Sequence, residues 1–257
     1  MLKRLRHWRE NRRLAALGWP HPAWENAIAD WAVAQRYQGA QRRLLHDTAM
    51  RFLMRKHIAP GGNMVLDDFM RLRIATMAVV PVLGLDLDWY GDWSSIIVYD
   101  QPFVPPHVTE DEYGIVHLDR HPLGGEAWSD GPVILSWQEV ERAGHQPGYN
   151  VVIHELAHKL DMRHDGPNGA PPLHRDIDPV AWHRDFSTAW EELESAVEAD
   201  SDPPIDPYAL EDPGEFFAVA SEVFFETPRH LQRTWPAVYA HLAAFYRQDP
   251  AEGPSGR

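Results

Sequence analysis

The sequence lacks cysteine altogether, and this absence narrows the chemistry available to its 257 residues. Disulfides, thiol nucleophiles and thiolate metal ligands are excluded, so a metal site must be built from histidine, aspartate or glutamate. The chain is also poor in basic residues, with 24 lysines and arginines against 38 acidic residues and a formal net charge of −14. Because nucleic acids bind basic surfaces, direct nucleic-acid binding is not expected.

Long apolar runs are absent as well. No stretch reaches the roughly 20 consecutive apolar residues needed to span a bilayer, and the longest apolar segment, residues 74–85, is interrupted by Pro81 and Gly84. We expect that segment in the core, which a hydrophobic fraction of 44% can fill. The basic start of the chain is not followed by the apolar run of a secretion signal, so a cytoplasmic location is the default expectation.

The first residues, MLKRLRHWRENRR, concentrate positive charge around one acid, Glu10. Such a run could contact an acidic partner or membrane headgroups, but a solvated, partly disordered terminus is the simpler interpretation. We therefore predict a basic extension over residues 1–20, one domain over 21–248 and a flexible tail over 249–257. The basic residues of the run are Lys3, Arg4, Arg6, Arg9, Arg12 and Arg13.

The periodicity of apolar residues predicts an α+β domain, in which helices come before and after a small group of strands. The sheet is expected to lie against the helix at 148–161. The predicted helices are 22–37, 42–57, 148–161, 179–198, 214–226 and 230–246, and the predicted strands are 94–100, 114–118 and 132–137.

The segment NVVIHELAHKLD contains two histidines four positions apart, with a glutamate directly after the first. On a helix this spacing places His154 and His158 on one face, where both imidazoles can bind one metal ion. Glu155 then lies beside the ion, placed to take a proton from a water molecule at the metal, as the HExxH motif requires. Asn150 can cap such a helix. Two ordinary histidines are the alternative, since a chain with 15 histidines could show the motif by chance.

A catalytic zinc usually has three protein ligands, so a third residue is needed. His164 occupies the third-histidine position of the metzincin pattern, but that pattern has glycine where this chain has Asp161. Metzincins also have a methionine turn after the motif, whereas the last methionine of this chain is Met162. Both departures argue against His164.

The other candidates lie in DPGEFFAVASEVFFETP, residues 212–228, where Asp212 and Pro213 predict the start of a helix. Glu215 and Glu222 are seven residues apart, which puts them on one stripe of that helix. Glu215 could instead reach back to the helix start as in a capping box, and Glu222 could be a surface acid. The residues alone leave open which glutamate binds metal.

Four segments together resemble the Mlc titration factor A family of zinc-dependent peptidases. They are RLRIATMAVVPVLGLDLDWY, VILSW, NVVIHELAHKLDMR and IDPYALEDPGEFFAVASEVFFETP, and the resemblance runs from about residue 45 to 248. It implies a single zincin-like metallopeptidase domain, related to the catalytic domain of lethal-factor-type toxins.

The resemblance also implies roles for individual residues. Glu215 would be the third ligand of one zinc ion per chain, and Tyr208 would stabilise the oxyanion. Asp161 and Glu222 would support the ligands from behind. The implied substrates are peptides, with a preference for aminopeptidase-type substrates, and the implied partner is a transcriptional repressor of the Mlc type.

These features predict a zinc-dependent peptidase with Glu155 as general base. An extended substrate could add to an edge offered by the strand at 132–137. A hydrolase that cuts another amide or ester with the same metal is also compatible. The alternative of another class is a protein-binding regulator that sequesters a transcription factor, with a structural or vestigial zinc. An intact Glu155, which a structural zinc would not require, argues against it.

Overall fold

Helices surround a small sheet in this protein, which confirms the expected α+β class. The computed structural model describes residues 2–19, 21–91, 93–102, 108–110, 116–118, 124–128, 131–163 and 166–252. Within them the helices are α1 Leu2–Leu17, α2 Pro22–Ala27, α3 Ala32–Arg36, α4 Gly39–Arg55, α5 Asp68–Val79, α6 Trp137–Arg142, α7 Val151–Asp161, α8 Pro179–Glu198, α9 Pro213–Glu226, α10 Pro228–Thr234 and α11 Pro236–Tyr246. The strands are β1 His57–Pro60, β2 Ser95–Tyr99, β3 Val108–Glu110, β4 Val116–Leu118, β5 Gly125–Ala127 and β6 Val133–Ser136. Short 3-10 helices cover Val80–Val82, Leu87–Tyr90 and Pro207–Leu210.

Four strands form the central sheet in the order β1-β2-β6-β5, while β3 and β4 pair separately. β1, β2 and β6 are parallel, and β5 runs antiparallel to β6 with Gly125 opposite Leu135. The strand predicted at 132–137 is therefore the interior strand β6, fully buried, and the expectation that it offers an edge is wrong. Within the described residues the two outer strands of the sheet are β1 and β5, and the Gly-Glu-Ala sequence of β5 carries no β-branched residue to indicate a strand.

The segment 22–37, predicted as one helix, forms the two short helices α2 and α3. The helical hydrogen bonding stops near Ile28, whose carbonyl oxygen accepts the side-chain amide of Gln35 at 2.8 Å. The same oxygen accepts the backbone N–H of Trp31 at 3.2 Å in a turn, so a turn and a side chain replace the helical bond at this point, which periodicity alone could not indicate.

The segment 230–246 is divided in the same way, into α10 and α11. Pro236 has no N–H to donate and disfavours helical geometry at the residue before it. Trp235 accordingly has φ −130° and ψ 78°. The proline that interrupts the prediction is also the first residue of α11, where its fixed φ suits a helix start.

Most of the apolar segment 74–85 lies in the core, as predicted, while Leu83 and Leu85 are partly buried and Gly84 is exposed. It forms the end of α5 and the 3-10 helix that follows, and the side chains from Ile74 to Val80 are buried. Helix α5 packs between α4 and α7. No helix formed by the described residues is both long and apolar enough to cross a lipid bilayer.

Helix α7 is the most enclosed element near the sheet, because every one of its residues is buried. It packs against β5 and β6 on one side and against α9 on the other. Five ionisable residues are among those buried, namely His154, Glu155, His158, Lys159 and Asp161. Since an unpartnered polar group is costly to bury, each of these side chains needs a partner or a function.

The N-terminal segment is helical rather than partly disordered, although most of its described side chains are exposed, as expected of a solvated terminus. Residues 2–17 form helix α1, which packs on α4. Glu10 is only 5% exposed, and its carboxylate accepts two hydrogen bonds from the Arg55 guanidinium at 2.8 and 2.9 Å. The single acid of the basic run therefore anchors the helix. Its partner is 45 residues away in sequence, so the local pattern could not reveal it.

Replacement of Glu10 by glutamine should loosen α1 from the rest of the chain. The change removes the charge of a buried carboxylate and leaves Arg55 with a weaker partner, at a cost of about 1–3 kcal/mol. Urea unfolding followed by circular dichroism measures the loss. Glu194→Gln, at an exposed glutamate of α8, is the matched control and should change stability little. Equal stability of Glu10→Gln and the parent would mean that the pair does not hold α1.

Candidate metal site

Helix α7 presents His154 and His158 on one face because its start is set by a cap. The side-chain oxygen of Asn150 accepts the backbone N–H of Ile153 at 3.1 Å, as the sequence predicted. The Nε2 atoms of the two histidines then lie 3.1 Å apart. His154 is 9% exposed and His158 is 7% exposed, so both rings are largely removed from water.

The carboxylate of Glu215 completes a cluster with the two histidines. Its Oε2 lies 3.0 Å from Nε2 of His154, and its Oε1 lies 3.3 Å from Nε2 of His158. One donor atom from each residue can be chosen so that all three lie within 4.8 Å of one another. Among the residues that the structure describes, this is the cluster that could hold a metal ion.

The start of α9 brings Glu215 to this position. Asp212 caps the helix, with its Oδ1 accepting the backbone N–H of Glu215 at 3.0 Å, and Pro213 occupies the first turn. The capping is therefore done by the aspartate, and the Glu215 carboxylate is turned towards the histidines rather than back to the helix start. The sequence left Glu215 either as a capping-box residue or as a residue of the metal site, and in the structure its carboxylate lies beside the histidines.

Glu222, two turns farther along α9, contacts the opposite side of His154. Its Oε1 lies 2.8 Å from Nδ1 of His154, and its Oε2 accepts the backbone N–H of Asn150. An ionised carboxylate can only accept, so Nδ1 of His154 carries the hydrogen. Nε2 of the neutral ring is then left with a lone pair that points to the cluster.

The electrostatics of the cluster favour a cation. Burial opposes a charge on His154, yet the carboxylates of Glu215 and Glu222 raise its pKa well above the ordinary value. Burial would likewise raise the pKa of Glu215, but the two histidines lower it, so the carboxylate stays ionised. The buried Oε2 of Glu215 accepts no hydrogen bond from the described residues, although Nε2 of His154 is close.

That unsatisfied oxygen is a test of whether a metal fits. Because Nδ1 of His154 faces Glu222, its Nε2 can lie 3.0 Å from the Glu215 oxygen only with a positive charge between them, either a second proton on the ring, which its raised pKa favours, or a metal ion in place of that proton. Two imidazoles and one carboxylate form a donor set that suits a divalent transition metal. The residues present therefore fit a metal ion of this kind.

Glu155 lies next to the cluster, against the backbone of strand β5 at Gly125. It is 4% exposed, and its Oε2 has no hydrogen-bond partner among the described residues. Burial raises the pKa of Glu155 to about 8, with His154 opposing the rise and Glu215 adding to it. A Cβ atom on Gly125 would collide with the Glu155 side chain, so a larger residue at this point of β5 would displace the Glu155 carboxylate.

Tyr208 lies at the rim of the site, in the 3-10 helix Pro207–Leu210. Asp206 caps that helix by accepting the backbone N–H of Tyr208 at 3.0 Å. The phenol ring lies 6.2 Å from the His154 ring, centroid to centroid, and the residue is 45% exposed. Partial burial and the charges of Glu215 and Glu155 raise the pKa of Tyr208, so its hydroxyl keeps a proton to donate.

Asp161 holds the loop that supports the start of α9. Its Oδ2 accepts the backbone N–H of Gly169 at 2.7 Å. Gly169 has φ +75°, and a Cβ there would lie 2.5 Å from the carbonyl oxygen of Pro213, so a larger residue is excluded. The carboxylate of Asp161 therefore connects the end of α7, through this loop, to the turn that carries Glu215.

A cleft of about 830 Å³ opens beside the cluster. His154, Glu155 and Tyr208 lie along it, together with apolar side chains of α7 and α9 and the prolines of residues 203–207. The cleft is therefore large enough to admit part of a polypeptide, and His154 is the residue of the cluster that lines it.

Two parts of the site were not found from the sequence. Gly125 and Gly169 make backbone contacts that have no local signature beyond the residue type. His164, the alternative third ligand, lies outside the described residues. Of the residues singled out beforehand, the structure brings together His154, Glu155, His158, Tyr208, Glu215 and Glu222, while Asp161, at the end of α7, holds the loop at Gly169.

Comparison with known proteins gives one consistent family. Residues 5–247 match the family described as glucose-regulated metallo-peptidase M90. The chain is 36% identical over 234 residues to Mlc titration factor A of Yersinia enterocolitica, covering 88% of this chain and 85% of the relative. It is 35% identical over 231 residues to Mlc titration factor A of Yersinia pestis, covering 88% of this chain and 84% of the relative. A chain with this metal-compatible cluster and these matches over nearly its whole length belongs to the glucose-regulated metallo-peptidase M90 family.

Proposed function

We propose that the protein is a zinc-dependent peptidase, with His154, His158 and Glu215 holding one zinc ion. The observation that carries the proposal is the convergence of two imidazole nitrogens and a carboxylate whose buried Oε2 accepts no hydrogen bond from the described residues. Two histidines and one carboxylate leave a position open for water or substrate, which separates a catalytic zinc site from a closed structural one. Membership of a metallopeptidase family supports the same reaction class.

When bound, the ion supplies Lewis acidity, which acidifies a water molecule and polarises a carbonyl oxygen. Glu155 is the general base: its carboxylate, buried beside the cluster, accepts the proton of the water and later delivers it to the leaving amine. Tyr208, which lines the same cleft, donates a hydrogen bond to the oxygen on which negative charge develops. Glu222 keeps the hydrogen of His154 on Nδ1, and so keeps Nε2 free to bind metal.

The outer strand β5 is the element on which a substrate can be aligned. Within the described sheet it has a strand, β6, on one side only. An extended peptide that pairs with β5 would pass Glu155, since that side chain touches Gly125. The resemblance to zinc peptidases that act on aminopeptidase-type substrates makes short aminoacyl compounds the first substrates to try.

A protein-binding role is the second candidate, and the names of the relatives favour it. Each is named Mlc titration factor A, and a factor that titrates Mlc would act by binding it. On this proposal the chain would bind a repressor of the Mlc type, with the metal cluster serving structure. The two functions make different demands on Glu155, because a structural ion needs no general base beside it.

Metal content and hydrolysis measured on the same sample distinguish these functions. We expect one zinc per chain by elemental analysis, together with hydrolysis of a fluorogenic aminoacyl substrate that a chelator abolishes and added zinc restores. Internally blocked peptides tested in parallel show whether a free amino terminus is required. Zinc without hydrolysis of any peptide in the panel would contradict the peptidase proposal and favour the binding role.

Glu155→Gln should retain zinc and lose hydrolysis. The amide has nearly the shape of the carboxylate but cannot accept the proton, so turnover should fall about 100-fold to 10,000-fold. Glu211→Gln, at an exposed glutamate near the same rim, is the control and should leave turnover unchanged. Full activity in Glu155→Gln would disprove the assignment of the base.

Replacement of the two α9 glutamates by alanine should separate a metal ligand from its supporting residue. Glu222→Ala should weaken zinc binding about 10-fold to 100-fold, because the orientation of His154 is lost. Glu215→Ala removes a donor atom and should weaken it more, as measured by competition with a chromophoric chelator. A stronger loss with Glu222→Ala would reverse their roles, and zinc retained in both would return His164 to consideration.

Tyr208→Phe should lower turnover about 100-fold or more without releasing zinc, since one donor to the developing oxyanion is removed. Tyr149→Phe is the matched control: Tyr149 lines the same cleft, but its hydroxyl donates to Glu139 at 2.7 Å. Equal turnover of the two variants would show that Tyr208 does not contact the reacting carbonyl.

A further inference from the structure

A second concave surface, away from the metal cluster, is predominantly basic. It lies between α1, the end of α4 and residues 87–94, and its volume is about 830 Å³. We refer to it as the basic groove. Two carboxylates, Glu10 and Asp88, also line it. Its cationic residues are Arg6, Arg9, Arg13, Arg55, Lys56 and Arg163.

A surplus of cations in one place is unusual in a chain whose formal net charge is −14. Four of the six cations already bind carboxylates or carbonyl oxygens of the groove. Arg55 binds Glu10 and Asp88, and Arg6 donates to Asp88 at 2.7 Å. Arg163 donates to the carbonyl oxygens of Asp88 and Trp89 at 2.8 and 2.5 Å. Both carboxylates of the groove, Glu10 and Asp88, therefore already bind the guanidinium groups of Arg6 and Arg55 in its floor.

Lys56 belongs to the floor as well. Its ammonium group donates to the carbonyl oxygens of Gly91 and Trp93 and lies 4.0 Å from the centroid of the Trp93 ring. The residue is buried, at 8% exposure. Its role is therefore to hold the wall of the groove rather than to meet a ligand.

Two guanidinium groups remain. Arg9 and Arg13 are exposed and make no hydrogen bond or ion pair with any residue that the structure describes. They are four residues apart on α1, so they lie on one face of the helix, where like charges repel. The repulsion is relieved if an anion binds both. A guanidinium group offers paired N–H donors that match a carboxylate or a phosphate.

The shape and charge of the surroundings distinguish between these anions. A nucleic acid or an anionic bilayer presents many phosphates at once and would be repelled by the excess negative charge of the chain as a whole. A single polypeptide strand can enter the groove and contact its apolar side chains, among them Leu5, Met54 and Leu87. Leu5 is 45% exposed, so it is available for such a contact.

We propose that the basic groove is a docking site for an acidic segment of a partner polypeptide, with Arg9 and Arg13 binding its carboxylates and Leu5 contacting an apolar side chain between them. The groove shares no residue with the catalytic cluster, so this surface can work whether or not the metal site hydrolyses peptides. Helix α1 thereby has a function that its basic composition alone did not specify.

Fluorescence anisotropy with a defined probe tests the proposal. The probe is a short fluorescein-labelled peptide of glutamate pairs separated by single leucines, and the same peptide with lysine in place of glutamate is the negative control. We expect the parent to bind only the acidic probe, with an affinity that falls as salt is added. Arg9→Gln/Arg13→Gln should bind it about tenfold more weakly.

Arg12→Gln is the matched control variant. Arg12 is an exposed arginine on the same helix, but it lies over the Trp8 ring and does not line the groove. This variant should lose less than about twofold in affinity. Circular dichroism checks that α1 stays folded in all variants, and zinc content and hydrolysis should be the same in all of them. A change in hydrolysis in the double variant would concern the peptidase proposal and would not by itself affect the docking result.

Three results would overturn the docking proposal. The first is no binding of the acidic probe by the parent. The second is an equal loss of affinity in Arg12→Gln and the double variant, which would indicate long-range attraction without a site. The third is tighter binding of duplex DNA, or of vesicles of phosphatidylcholine and phosphatidylserine in equal amounts, that depends on Arg9 and Arg13. That result would assign the groove to phosphate surfaces.

Discussion

The bridge from α9 to the start of α7 through Glu222 is the interaction on which the candidate site depends. One carboxylate oxygen of Glu222 holds Nδ1 of His154, and the other accepts the backbone N–H of Asn150. Both contacts are buried, where hydrogen bonds to a charged group are strong and their loss is costly. Because α7 and α9 are joined at this point, Glu215, two turns earlier on α9, is brought to the two histidines.

Each end of α9 has its own support. At the end that follows Glu222, Glu226 accepts hydrogen bonds from Asn150 and Trp31, and Arg36 donates to its carbonyl oxygen at 2.7 Å. At the other end, Asp161 and Gly169 hold the turn before Glu215. A metal ligand must be positioned to within a few tenths of an ångström, so it needs such support. If the side chain were mobile, the cost of ordering it would weaken metal binding.

Charge is divided over the molecule in a way that suits two kinds of contact. The cluster in the cleft consists of buried carboxylates around imidazoles, and this environment attracts a cation. The groove beside α1 has its carboxylates occupied by its own floor and leaves arginines at its rim. The proposed metal-dependent reaction and the proposed binding of an acidic partner would therefore use different surfaces of the chain.

Local pattern was sufficient for the class of fold, for the helix that carries His154 and His158, for its Asn150 cap and for the Asp212 cap of α9. These features depend on residues a few positions apart, and the energies that decide them act over the same distance. The division of two predicted helices, the outer strand β5, the docking of α1 and the contacts of Glu215 and Glu222 were decided by tertiary structure. In each of these cases the partner lies far away in sequence or is a backbone atom, and so leaves no periodic trace. The sequence by itself determined which side chains could perform metal chemistry. Only the packing of α9 on α7 decided that Glu215 faces the two histidines and that Glu222 orients one of them. Two glutamates seven positions apart lie on the same stripe of a helix, so either could take either role until the neighbouring helix is in place.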